Sequence, residues 1–478
     1  MGAHIDPAWW RDPGMAERLH RQDIAAVFRV LKKHGWSNTR IAAVTGLGTP
    51  RVGDILAERH LVRTYDVLVR IADGLGIERG LMGLAYTAET SNTQQAPSTE
   101  GGVTVDPAVA ALNEDRTWGL SWGTDVSSTL RVVTGMWGAD MNRRDFVVNT
   151  AFVGGGFAGP ARDWLLGWPD ADVSSVGTGR KVGQTDVDML WLSCHSFQEI
   201  DRRMGGGYAR GSLVHFLNNV VTPLLRGDFT EDVGRQLLAV SARLTDIAGY
   251  SAYDAHEQGL AQRYYIQALR MARSADNDAL GAHIFGDMTR QSYYIGELDE
   301  AVSLARAGQQ AAQRASSWFG VARCASLEAR ALAMQGDRTS SQAAMTRAEK
   351  AMAKANADDE PAWIKYFSMD QLEAEFAHAA EALGRPREVL RFAEPALAAD
   401  RPLERRNVLV GTTAARAHAA NGDIEKAAHL GIQVLDMIGA MSSERALDSA
   451  RQLRTVLAPH ARGAAAEFAA KAREVLPA

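Results

Sequence analysis

The stretch Asn38-Thr-Arg-Ile-Ala-Ala-Val-Thr-Gly-Leu-Gly-Thr-Pro-Arg-Val-Gly-Asp-Ile-Leu56 decides how the N-terminal part of the chain folds. Ile41 and Ala42 precede Gly46 by five and four residues, and Val52 and Ile55 follow it by six and nine. That spacing predicts two short helices crossing at a tight turn, a helix-turn-helix. Ala42 keeps the crossing close, Gly46 supplies a turn residue with positive φ, and Leu47, Val52 and Ile55 bury the second helix. Ser37 reads as the cap of the first helix; Thr49 reads as the N-cap of the second, with Pro50 its first helical residue. Just upstream, the run from Asp23 to Lys33 is amphipathic, with Ile24, Val27, Phe28 and Leu31 on one face.

Working outward, residues 8–87 form the helix-turn-helix domain, and residues 88–106 form a flexible linker within a Ser/Thr/Gln/Gly-rich stretch. Residues 107–180 read as a helical connector. Across 181–478, Gly296, Gly336, Gly384 and Gly422 each separate two helical runs, at spacings of 40, 48 and 38 residues. Seven residues before each glycine stands Thr289, Ala329, Ala377 or Ala415, and five after it Ala301, Ser341, Val389 or Ala427. Small side chains at both points let the helices of a hairpin approach closely, and Gly227 and Gly259 suggest degenerate hairpins from about residue 180. Alternating strand patterns are scarce, so the expected fold is all-α: a helix-turn-helix domain followed by a tetratricopeptide-like α-solenoid.

Of the 478 residues 46% are apolar, enough for two to four ordinary domains, which excludes collagen-like and disulfide-stapled classes. A net charge of −5 gives no global positive field for nucleic acid or membrane. Cys194 and Cys324 have no CxxC or His-rich company, which points to a reducing, cytoplasmic setting with no disulfide and no metal framework. No secretory pattern opens the chain, and the Arg143-Arg144 run resembling an export signal lies too far in to act as one. Catalytic motifs are also missing. Gly154–Gly156 and Gly205–Gly207 lack the context of a phosphate cradle, and Cys194-His195 point about 100° apart on one helix. The reading is a non-enzyme with no cofactor and no membrane partner.

One region departs from the acidic balance: from Glu17 to Arg63 there are nine Lys/Arg against four Asp/Glu. A recognition helix reads the major groove of double-stranded DNA with residues near its N-terminus, here Thr49, Pro50, Arg51 and Asp54. Arg51 suits a bidentate contact to guanine, Thr49 and Pro50 a thymine methyl or a phosphate, and Asp54 a cytosine amine or the positioning of Arg51. Arg40, Arg59 and Arg63 are placed for phosphates. The alternative is a tetratricopeptide-type scaffold whose helix-turn-helix makes protein contacts.

These residues, with Trp36-Ser37, Tyr65 to Ile77 and Met82 to Tyr86, resemble the Cro/xenobiotic-response-element class of regulators. More closely, the chain is similar to the large actinobacterial members that carry a tetratricopeptide-like C-terminal region. The resemblance continues through Arg143-Arg144-Asp145-Phe146, Phe197 to Asp201, Gly205-Gly206-Gly207, Arg210, Gly259 to Tyr264 and Asp359 to Trp363. Asn38 and Thr49 stand where that family often has Gln, so base preference does not carry over. The resemblance implies sequence-specific DNA binding as a homodimer on an operator, with development or secondary metabolism a common setting.

In the repeat register, the inner helices direct Arg290, Tyr293, Arg323, Arg330, His378 and Arg416 toward the concave face. A basic, aromatic lining suits an anionic small molecule or a peptide effector. The same arginines are equally accounted for by pairing with neighbouring acids such as Glu297 or Glu328. The repeats therefore sense a ligand, mediate dimerisation, or both.

Overall fold

A computed structural model describes residues 9–10, 13–20, 23–45, 47–57, 62, 65–77, 79–82, 118–141, 151–175, 179–398, 405–460 and 462–476. Gly46, Arg59, Arg63 and the 88–106 linker lie outside them, as does the side chain of Pro50. The described structure is all-α. No strand occurs among the described residues, only isolated bridges joining Ser175 to Phe229 and Lys181 to Asp228. The chain divides into two units: residues 1–118, 142–156 and 257–260 in the first, and 119–141, 157–256 and 261–478 in the second.

The first unit contains α1 (Pro13–His20), α2 (Ile24–Lys33), α3 (Asn38–Thr45), α4 (Thr49–Leu56) and α5 (Tyr65–Leu75), then a short 3-10 turn at Arg79–Met82. Asp23 caps α2 by accepting from the Ala26 amide at 2.9 Å, and Ser37 accepts from the Arg40 amide at 3.1 Å. Gly48, not Thr49, is the N-cap of α4, so Thr49 lies one residue inside the helix. Gly48 has no side chain to cap with, and the start shifts by one residue. Ile24, Phe28, Ile41, Ala42, Leu47, Val52, Ile55, Leu68 and Ile71 share one apolar core with Trp10, Leu19, Leu31 and Met82. The α3–α5 packing needs Gly74, where a Cβ would sit 1.8 Å from the Val44 carbonyl oxygen.

The second unit opens with α6 (Val126–Met141) and α7 (Ala158–Leu166), so much of the stretch expected as a connector packs with the repeats. Next come α8 (Gln184–Met204), α9 (Gly206–Phe216), a π-turn at Leu217–Val221 and α10 (Thr222–Leu225). They are followed by α11 (Glu231–Asp254), α12 (Gln258–Ser274), α13 (Asp278–Ile295), α14 (Leu298–Arg314), α15 (Trp318–Met334) and α16 (Arg338–Lys354). The array closes with α17 (Met369–Ala382), α18 (Pro386–Ala398), α19 (Arg405–Ala420), α20 (Ile424–Ile438), α21 (Glu444–Leu457) and α22 (Ala464–Val475).

Each of α13, α15, α17 and α19 packs on the helix that follows it and also on the next odd-numbered helix, which makes the array an α-solenoid. Gly296, Gly336, Gly384 and Gly422 close the hairpins in the left-handed conformation, with φ of 94°, 80°, 66° and 84°. Asp337 and Asp423 explain the recurrent Gly-Asp pair, since each caps the next helix. All eight small positions flanking those turns are buried. Gly259, however, falls inside α12; the α11–α12 turn is made by His256 at φ 64°, and Asp276 and Ser316 do the same work further on.

Gly205-Gly206-Gly207 serves packing. A Cβ on Gly206 would meet the Ser251 Cα at 2.6 Å, and one on Gly205 the Ser442 carbonyl oxygen at 2.5 Å. Arg210 is buried against Asp140 at 2.5 Å.

Candidate functional site

On α4, Val52 and Ile55 point into the core, while Thr49 is exposed and Arg51 and Asp54 are half-exposed. The outer surface of this helix is therefore polar, carried by a closed apolar core. Arg40 on α3 stacks its guanidinium 3.8 Å from the centre of the Trp36 ring, which fixes the direction of its charge. At Gly53 a Cβ would meet only Asn38 Nδ2 at 3.9 Å, an ordinary contact, so internal packing does not require that glycine.

In the repeat unit, α8, α11, α13, α15, α17, α19 and α21 enclose a cavity of ≈ 430 Å³. All six residues expected on the concave face line it: Arg290, Tyr293, Arg323, Arg330, His378 and Arg416. The spacing of 48 residues between two turns comes from the loop between α16 and α17, which contributes Tyr366 to the lining. Glu360 anchors this loop by accepting from Ser317 Oγ at 2.6 Å and from the Phe319 amide at 2.7 Å, and Trp363 packs its ring 5.3 Å from that of His283.

The lining is far richer in ion pairs than the sequence suggests. Arg243 bonds Asp246 at 2.5 Å, Arg323 bonds Asp287 at 2.6 Å, Arg406 bonds Asp370 at 2.7 Å, and Arg416 makes a fork on Glu381 at 2.7 and 3.1 Å. Arg405 spans Asp201 at 2.8 Å and Asp254 at 2.9 Å, and Arg445 also takes Asp254 at 2.9 Å. Arg202 lies 3.6 Å from Glu199 and over the Tyr366 ring. Arg290 and Arg330 share one acid, Glu375, at 2.6 and 3.4 Å. Neither Glu297 nor Glu328 is involved; Glu328 instead holds Arg306, Gln309 and Arg347. Most of the expected positive lining is thus cancelled from within.

Burial and charge compete throughout. Burial alone would raise the Glu375 carboxyl, but Arg290 and Arg330 outweigh it and hold it at about 2. His378 is pushed down to about 3 by burial and by Arg330, so it is a neutral imidazole at physiological pH, bonded to Thr413 Oγ1 at 3.2 Å.

Sequence reasoning missed Asp246, His283 and Asp287, whose ligand atoms lie within 4.8 Å of one another, the set among the described residues that could hold a metal ion. Arg243 and Arg323 already neutralise the two carboxylates, and burial drives His283 well below its ordinary pKa. A divalent cation would add two uncompensated charges to a dry site, so the chemistry favours a structural cluster. Cys194 and Cys324 are both buried, and burial pushes each thiol up to about 12, which leaves them poor nucleophiles.

No protein-family model matches the chain, and no curated protein matches it. Among the described residues no helix is long and apolar enough to cross a membrane.

Proposed function

We propose that the chain is a sequence-specific DNA-binding transcriptional regulator of the helix-turn-helix class, acting as a homodimer, with repeats that sense a ligand or peptide and take part in dimerisation. The observation that carries this reading is the α3–α4 pair: two eight-residue helices on a closed core, with Thr49, Arg51 and Asp54 on the solvent side of α4. The excess of basic residues from Glu17 to Arg63 supports it, since phosphate contacts supply most of the affinity. One recognition helix reads only about four or five base pairs, so two half-sites about 34 Å apart make the operator, and a dimer is needed to occupy them. The repeat unit supports dimerisation, because α8 leaves Met189, Leu192 and Ile200 in solvent.

A genome-wide binding experiment on the full chain identifies the operator, and two substitutions then test the reading. Arg51→Ala is expected to cost about 1–3 kcal/mol on the operator and to collapse its preference over random DNA. Arg40→Ala is expected to weaken all DNA alike and to reduce the salt slope by about one. An unchanged specificity ratio for Arg51→Ala would show that α4 does not read bases.

A further inference from the structure

The charge balance of the cavity in the repeat unit is uneven in one place. Nine arginines line it, and each has a carboxylate within 4 Å. The unevenness lies where Arg290 and Arg330 share Glu375. Arg290 takes the short contact of 2.6 Å, while Arg330 reaches the same carboxylate only at 3.4 Å and keeps a quarter of its side chain accessible, at 25%. Arg330 also lies 4.7 Å from the centre of the Tyr293 ring. Tyr293 lines the cavity, and its hydroxyl makes no hydrogen bond to any described residue. A loosely held guanidinium and a tyrosine without a hydrogen-bond partner among the described residues therefore belong to one stretch of the wall, and both can donate to an anion.

Ile247, Leu409, Ala374 and the tyrosine rings give the wall an apolar, aromatic part. A volume of ≈ 430 Å³ falls within the range of small-molecule sites, about 300–1,000 Å³. A peptide would need a ladder of side-chain amides for its backbone. Of the three glutamines in the lining, Gln198 is already committed to Arg243 and the Trp363 carbonyl, which leaves only Gln371 and Gln452.

We propose that this cavity binds a small amphipathic monocarboxylate, its carboxylate on Arg330 and the Tyr293 hydroxyl and its apolar body against Ile247 and Leu409. The inference deepens the reading of the repeats as a sensor. Glu375 is then an internal competitor that holds Arg330 loosely and sets the affinity. A dianion would meet the Glu375 carboxylate beside Arg330 with two charges, and a neutral amide would lack the charge that Arg330 takes.

The test is calorimetric titration of the full chain with octanoate, 4-phenylbutyrate, octanamide, phenyl phosphate and tetra-alanine. No DNA is present, so a chain that fails to bind DNA leaves the result intact. Saturable binding of at least one monocarboxylate is expected, about tenfold or more tighter than octanamide and phenyl phosphate. Arg330→Gln should weaken it by about tenfold with an unchanged circular-dichroism spectrum, whereas Glu375→Gln should tighten it and admit phenyl phosphate. Should Glu375→Gln fail to fold, Arg330→Gln and the amide comparison still decide. The proposal is overturned by equal affinity for octanoate and octanamide, by tetra-alanine binding more tightly than either monocarboxylate, by no effect of Arg330→Gln, or by no saturable binding of either acid up to about 10 mM.

Discussion

Asp254 ends α11 in a fully buried position and accepts four hydrogen bonds there, from the Gly206 amide at 3.0 Å and from Arg405 Nη1, Ser443 Oγ and Arg445 Nε at 2.9 Å each. It thereby ties α9, α19 and α21 to α11 and closes one side of the cavity. Burial alone would raise its carboxyl, but Arg405 and Arg445 outweigh that and hold it at about 2. Against an ordinary value of 3.8, such a depression is worth about 2 kcal/mol at neutral pH. Asp254→Asn keeps the shape and removes the charge, which leaves Arg405 and Arg445 against Asp201 alone. Breaking a buried pair in this way costs about 3–5 kcal/mol. The two figures bracket a loss of about 2–5 kcal/mol, a fall in Tm of about 4–10 °C for a unit of this size. Thermal melts of both proteins from pH 7 down to pH 2 provide the assay. Because the folded pKa is depressed, the stabilisation is complete above the ordinary carboxylate range and disappears as pH falls toward about 2. The gap between the two proteins should accordingly be constant from about pH 7 to 5 and narrow below that. A difference below about 2 °C at pH 7, or a gap that stays constant to pH 2, would refute the account of Asp254 as the charge that holds these helices together.

Two further outcomes follow from single positions. Gly74→Ala should destabilise the first unit by at least about 1–3 kcal/mol, since the new methyl would overlap the Val44 carbonyl, and chemical denaturation followed by circular dichroism should register that loss while the repeat unit is unaffected. Cys194 and Cys324 should resist a thiol reagent at pH 8 in the native chain and react together after denaturation; prompt native labelling of either would contradict their burial.

Much of the fold was legible because its signals are local. The eight small positions around Gly296, Gly336, Gly384 and Gly422 are all buried, and each glycine takes the positive φ that only a residue without a Cβ adopts freely. Where the same conformation falls on His256, Asp276 or Ser316, the sequence carries no marker. Gly259, which with Gly227 suggests degenerate hairpins from about residue 180, is itself helical. The extent of the repeat unit was hidden for a similar reason: α6 and α7 are held by contacts such as Tyr264 to Asp140 at 2.6 Å, across 124 residues.

The cavity divides along the same line between local and distant information. Helical register alone brings Arg290, Tyr293, Arg323, Arg330, His378 and Arg416 to one face, because each lies a fixed number of turns from a hairpin glycine. Their charge is decided elsewhere. Arg330 meets an acid 45 residues away, Arg416 one 35 away and Arg405 one 204 away, each on a helix other than the arginine's own. The acids near in sequence are committed to other partners, as Glu328 is to Arg306 and Arg347. In a stacked-hairpin fold the face a side chain occupies is set within its own repeat, and the charge it meets there is set by its neighbours. A basic groove read from the register of single repeats therefore becomes, once the helices are stacked, a cavity whose arginines are met by acids, with Arg330 the more loosely held of the two that share Glu375.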